Sequence, residues 1–296
     1  MAGFGFDDVI KLFLSIAVPV MMISIGIHLG RGEVIALWRR PGLLGRSILA
    51  SLVLCPLVAY LLTAWLKAPL PVAIGLLLTA ASPSAPLGFV QTLKARGDTS
   101  YAAGMVATLA VLTIVSMPLT VWAAIGTPRL PLESVFVAVG TKILLPLGVG
   151  KALRALFPQI SASIGRWAPA VIPPLLALAI LAILFRHPEQ LAIGWPTALT
   201  MLFVALANIA IGYALGGPPP HLRLSLSLLC GFRNAAVPMM LVVPYVPQAL
   251  LPIAIFGVLS AFLSFGFATI WRKRHPQALG ITLLPEKTRK KTRPHR

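Results

Sequence analysis

The chain has 296 residues, 58% of them hydrophobic and 11% charged, and 25 Lys and Arg stand against 7 Asp and Glu for a net charge of +18. Mean hydropathy is +0.91, and apolar runs reach the ~20 residues that cross a ~30 Å hydrocarbon core as helix, which excludes a soluble class. The excess of positive charge, which would suggest nucleic acid in a soluble chain, therefore becomes a signal of topology, and nucleic acid is not expected as a partner.

In chain order, the N-terminal stretch MAGFGFDDVIKLFLSIAVPVMMISIGIHLG opens with acids, not with a basic n-region, and its apolar run exceeds a signal-peptide core. It reads as a first span. Charge, Pro and Gly then divide the chain into nine apolar segments: 9 to 30, 46 to 66, 70 to 95, 98 to 124, 134 to 156, 168 to 186, 194 to 216, 222 to 246 and 249 to 271. The expected class is an all-α polytopic membrane protein with nine transmembrane helices in a domain covering 1–271. Residues 272–296 form a basic tail, expected to be cytoplasmic, largely disordered and in touch with anionic lipid. Cys55 and Cys230 lie in separate apolar segments, so no disulfide or zinc framework is expected, and both read as small core residues.

Nine spans put the odd-numbered connections and the C-terminus on one side, which then carries nineteen Lys and Arg against four on the other. Without the tail the ratio is still ten to four. By the positive-inside rule the N-terminus is outside and the C-terminus cytoplasmic, in what we expect to be a bacterial inner membrane.

Two segments do not read as simple helices. The third contains AASPSAPLGF, where Pro83 and Pro86 lack backbone donors and disfavour helix at the residues before them. The eighth contains CGFRNAAVP, with Gly231 and Asn234 as breakers and Pro238 following. Interrupted backbone at membrane depth must be buried in protein or line an aqueous cavity. Two such segments, each followed by the last span of its half, predict two inverted repeats with the site where the breaks meet.

These residues resemble the bile acid:sodium symporter family. The likeness runs from PVAIGLLLTAASPSAP through LKARGD, and continues in MMISIGIHL, CPLVAYLL, TKILLPLGVG, IGYALG and GFRN. It implies two discontinuous crossing helices and two domains, a core from 70–124 and 194–271 and a panel from 9–66 and 134–186. The family's first sodium site resembles a cage of a Ser-Asn pair, two hydroxyls on the next helix and a Glu. Aligned on Gly97-Asp98 and Gly231, those positions hold Gly88 and Phe89, Ala102 and Val106, and Leu229. In the second site the Glu is again Leu229, and two Gln positions hold Arg233 and Ser51. A hard cation needs several oxygen ligands and usually a carboxylate, so the resemblance implies a member without bound sodium.

The acids agree, because all seven lie at predicted span ends, in loops or in the tail. Asp98 reads as a helix cap beside Gly97. Lys142 reads as snorkelling and His28 as an interfacial donor. Arg233 thus has no evident acidic partner. Its guanidinium either replaces the ion by donating to exposed carbonyls at the crossing, or binds an anionic substrate with its planar fork. A third reading has it snorkel to the interface. Asn234, Asn208, Ser82 and Ser84 join it as candidate site residues, and Thr79 lies nearby.

The sequence therefore predicts a secondary transporter of a small or amphipathic organic anion, working by alternating access without sodium and needing no cofactor and no metal. Its expected partners are that anion and the lipid bilayer. An exporter resembling the auxin efflux carriers, a sodium-coupled symporter with a non-standard site and a membrane ligand sensor remain as alternatives. An enzyme is disfavoured, since no paired acids, His cluster or nucleophile with its base lies within the spans.

Overall fold

A computed structural model describes residues 6–29, 32–125, 133, 136–137, 140–186, 194–242 and 245–275. Among these residues the chain is helical, with one isolated antiparallel bridge in place of any strand. Helix α1 is Phe6–His28, α2 Glu33–Trp38, α3 Pro41–Trp65, α4 Leu70–Ala81, α5 Pro86–Lys94 and α6 Thr99–Ile125. The second half contains α7 Leu145–Leu156, α8 Pro158–Arg186, α9 Trp195–Leu215, α10 Pro220–Gly231, α11 Ala236–Val242 and α12 Leu250–Arg274. Among the described residues four stretches are long and apolar enough to cross a membrane: Pro41–Trp65, Thr99–Thr120, Trp195–Leu215 and Pro247–Arg274.

Both interrupted segments are interrupted where Pro and Gly predict. The third splits into α4 and α5 around 82–85, and the eighth into α10 and α11 around 232–235. Pro86 opens α5, the first-turn position where a missing N–H costs nothing, and Pro238 falls in the first turn of α11.

Three features differ from expectation. The short α2 occupies a stretch assigned to a loop because of its arginines. Helix α8 begins at Pro158, ten residues before 168, since proline suits a helix start and Gln159, Ser163 and Arg166 give its first turns an exposed polar face. Residues 49–54 and 140–144 take π-helical turns within the second and fifth segments, which an apolar pattern does not reveal. Of the tail, Arg272, Lys273 and Arg274 extend α12; 276–296, like 134–135, 138–139 and 243–244 of the predicted spans, lies outside the described residues.

Helix α1 packs against α7 and α8, whereas α3 packs against α4 and α9, and α9 against α10 and α12. The second segment therefore sits among helices assigned to the core. A large apolar cluster joins α4, α5, α6, α10 and α11, and it contains the residues that surround the two breaks.

Candidate functional site

Each break loosens backbone groups, and the two breaks satisfy one another. Helix α4 ends at Ser82 in an extended conformation, as does Ala85, because each precedes a proline. Ser84 then pairs with Arg233 in the antiparallel bridge. The Ala85 N–H donates to Phe232 O at 2.7 Å, and the Asn234 N–H donates to Pro83 O at 3.0 Å. Without these bonds, buried peptide groups would be left unpaired at a cost of about 1–3 kcal/mol each.

Four carbonyls around this crossing take side-chain donors. Ser84 Oγ donates to Leu229 O at 2.7 Å, and Ser260 Oγ to Gly231 O. Arg233 supplies the other two: Nη1 donates to Ser82 O at 3.1 Å and Nη2 to Ser51 O. Ser51 O is available for a reason that can be traced along the chain. In the π-helical turn the Cys55 N–H bonds Ala50 O, five residues back. The next bond in that register would come from Pro56, which has no N–H.

Arg233 is 5% exposed and has no carboxylate partner among the described residues, where the ion pair seen is His221 Nε2 with Asp98 Oδ2 at 3.9 Å. Its charge instead faces carbonyl oxygens at the C-terminal ends of α4 and beside the π-helical gap, where partial negative charge collects. The guanidinium is therefore buried at the crossing and bonded to carbonyls there. Ser51 Oγ lies 3.5 Å from Cys230 Sγ, and Cys55 lies beside both Cys230 and the guanidinium, so the two buried cysteines border the site.

Ser82 and Ser84 are brought to the crossing, but both hydroxyls are engaged with backbone: Ser82 Oγ donates to Thr79 O at 2.7 Å, and Ser84 Oγ as above. Asn234 is buried at 4% exposure. The positions that the resemblance aligns with the first sodium site form apolar packing. Phe89, Ala102, Val106 and Leu229 belong to one buried cluster. Gly88 lets α5 approach α10, since a Cβ there would lie 3.1 Å from Phe232 Cβ and 3.2 Å from Leu228 O. Among the described residues no group of three His, Cys, Asp or Glu could hold a metal.

Asn208 reaches the same level from α9. A Cβ on Gly212 would meet Ser227 Cα at 2.6 Å, and one on Gly216 would meet Arg223 Cα at 2.5 Å. One turn further along this antiparallel register, Asn208 stands opposite Gly231; its neighbour Ile209 has Cγ1 3.0 Å from where a Gly231 Cβ would be. Both polar atoms of Asn208 are buried without a partner among the described residues, as are Arg233 Nε and Ser264 Oγ, which also lies against Gly231.

Pro83 and Gly231 therefore mark the crossing, while Pro86 and Pro238 mark the helices that leave it. Sequence reasoning missed Pro56, Ser260 and Ser264. A proline inside an apolar run, and two serines four residues apart on one face of the last span, were the available signals. Asp98 is a cap: Oδ1 accepts the Tyr101 N–H at 2.8 Å, and its own N–H donates to Ser225 Oγ at 2.8 Å, tying α6 to α10.

Residues 15–194 match the Sodium Bile acid symporter family. The chain is 24% identical over 285 residues to an uncharacterized sodium-dependent transporter, YocS, of Bacillus subtilis (strain 168), covering 92% of this chain and 88% of that protein. It is 28% identical over 240 residues to sodium/bile acid cotransporter 4 of Homo sapiens, covering 76% of this chain and 54% of the human protein. It is also 24% identical over 273 residues to the probable chloroplastic sodium/metabolite cotransporter BASS2 of Oryza sativa subsp. japonica, covering 88% and 64%. The chain thus spans about half the length of the human relative and somewhat less than two thirds of the rice one.

Proposed function

This chain belongs to the sodium bile acid symporter family, and from that premise we propose that it carries a small or amphipathic organic anion by alternating access without coupling to sodium. It is an integral membrane transporter, as the family's members are, and not an enzyme. The observation that carries the sodium-independent reading is the bonding of Arg233: its two terminal nitrogens lie on Ser82 O and Ser51 O, and the matching ligand positions Phe89, Ala102, Val106 and Leu229 are packed as core. A fixed guanidinium supplies there the positive charge that a mobile ion would bring. This departs from the names of the relatives, each of which refers to sodium.

The same bonding favours a charge-replacing role for Arg233 over a substrate-gripping one, because only Nε is left without a partner among the described residues. Substrate contact is assigned to Asn208 and Asn234, polar side chains at the level of the breaks. The proposed architecture has nine spans in two inverted repeats, in a bacterial inner membrane with the C-terminus cytoplasmic. Its panel comprises α1, α7 and α8 and its core the remaining helices, with the second segment on the core side because α3 packs against α4 and α9.

Uptake of radiolabelled organic anions by proteoliposomes tests this directly. Equal uptake with and without a sodium gradient is expected, together with a melting temperature that does not rise saturably with sodium. Uptake that requires the gradient would sink the proposal. An Arg233→Gln variant should lose stability before it loses anion affinity; the reverse order would move Arg233 to the substrate.

A further inference from the structure

Cys55 and Cys230 stand in separate segments of the sequence and face each other in the fold. Both are free thiols at 0% exposure. Cys55 follows the π-helical turn 49–54, a feature frequent at functional sites, and Cys230 lies in the last turn of α10, just before the break. The Cys55 thiol is in hydrogen-bond contact with Cys230 and with the Arg233 guanidinium, and Ser51 Oγ stands 3.5 Å from Cys230 Sγ. Neither thiol takes part in the bonds that close the crossing, so the function proposed above leaves two buried nucleophiles unused.

Charge decides what this pair can hold. Arg233 is a buried cation with no carboxylate partner among the described residues, and a buried charge left uncompensated is destabilising. Two neutral thiols leave that positive charge in place. When both give up their protons to a single monovalent metal cation, two S–H bonds break, two S–metal bonds form and two protons leave, with no change of oxidation state. The resulting dithiolate complex carries one negative charge, which the guanidinium neutralises. A divalent ion on the same two thiolates is neutral by itself and leaves Arg233 uncompensated. Ligand number points the same way: structural zinc takes four ligands, whereas soft monovalent ions with a filled d shell bind two thiolates.

We propose that Cys55 and Cys230 bind one soft monovalent cation, of the copper(I) and silver(I) class, as a two-coordinate dithiolate beside Arg233. Bound there, the ion ties α3 to the last turn of α10. The inference uses only the positions of the two thiols and the guanidinium, so it stands whether or not sodium drives transport.

The test offers copper(I), kept reduced with ascorbate and presented as its bicinchoninate complex, to the thiol-reduced full chain in detergent. The chain is expected to withdraw a single copper ion per molecule and to melt at a higher temperature with it bound. Cys55→Ser and Cys230→Ser should each weaken retention by more than about a hundredfold, beyond the effect of outer-shell changes. An excess of zinc should not displace the copper. X-ray absorption of the copper-loaded parent chain should show two sulfur neighbours, which keeps the proposal testable even where a serine variant does not fold. Failure to withdraw copper would overturn it, as would displacement by zinc or nitrogen neighbours at the metal. Retention unchanged in both variants would place the ion on methionines or histidines elsewhere and overturn it equally. Uptake that requires sodium would sink the proposed function and leave this site untouched.

Discussion

The two breaks are built from different materials and are satisfied to different degrees. The first, 82–85, is uncharged and closed: the hydroxyls of Thr79, Ser82 and Ser84 each bond a carbonyl. The second, 232–235, carries the cation and is surrounded by spare capacity, in Arg233 Nε, both ends of Asn208 and Ser264 Oγ. The first break thus supplies acceptors that must be covered, and the second supplies both the donor that covers them and polar groups still open to a ligand. A crossing of two interrupted helices can therefore be asymmetric in chemistry even where it is paired in backbone.

The largest effect tests the donor. Arg233→Gln removes the charge and leaves Ser82 O and Ser51 O without their donors, and should cost about 3–5 kcal/mol of stability, read from denaturant unfolding in detergent. A double variant, Leu229→Glu with Arg233→Gln, restores the carboxylate and amide that the family resemblance implies. It should regain part of that stability, and regain it only when sodium is present, which thermal shift against sodium and potassium will show. Recovery without sodium would mean that charge at the crossing is not what Arg233 replaces.

Next in size is Pro56, which sharpens the account of why Arg233 has an acceptor at all. Pro56→Ala gives Ser51 O an N–H from its own helix, in competition with the guanidinium. A loss of about 1–2 kcal/mol is expected in the parent chain. In the Arg233→Gln background the same change should be neutral or stabilising, because the orphaned carbonyl then gains a donor. That coupling, measured as a double-mutant cycle, separates the carbonyl from general effects of removing a proline. Ser84→Ala, which strips Leu229 O of its hydroxyl, should cost about 1 kcal/mol and couple to neither.

Much of this arrangement was legible in the residues. Pro83 and Pro86 constrain the backbone before them, and Gly231 followed by Arg-Asn marks a helix end, so both breaks could be located from local chemistry. The absence of acids from the spans also follows from the sequence, and with it the isolation of Arg233. The partners of Arg233 did not follow. Its acceptor at Ser51 depends on a π-helical turn that shifts one bond register without disturbing the apolar pattern. The hydroxyls of Ser82 and Ser84 are equally fit, by sequence, for a ligand or for backbone; Ser82 turns back on Thr79 O in its own helix, and Ser84 is taken by the packing of α10 against the break. The short helix Glu33–Trp38 was hidden by the arginines that flank it.

The smallest effect bears on the open side of the comparison. Asn208 is fully buried, opposite Gly231, with an amide that bonds nothing among the described residues. A polar group in that condition destabilises the fold, and an apolar residue of similar volume removes the penalty without leaving a cavity. Asn208→Leu should therefore change stability by about 1 kcal/mol or less, in the favourable direction. If the amide meets the anion during transport, the same variant should lose uptake in proteoliposomes while melting at the same temperature or higher. The analogous Ser82→Ala, at the closed break, should lose a little stability and leave uptake intact. Transport would then be lost without stability beside the second break, and stability without transport at the first, and a pair of variants that behaved alike would erase the asymmetry between them.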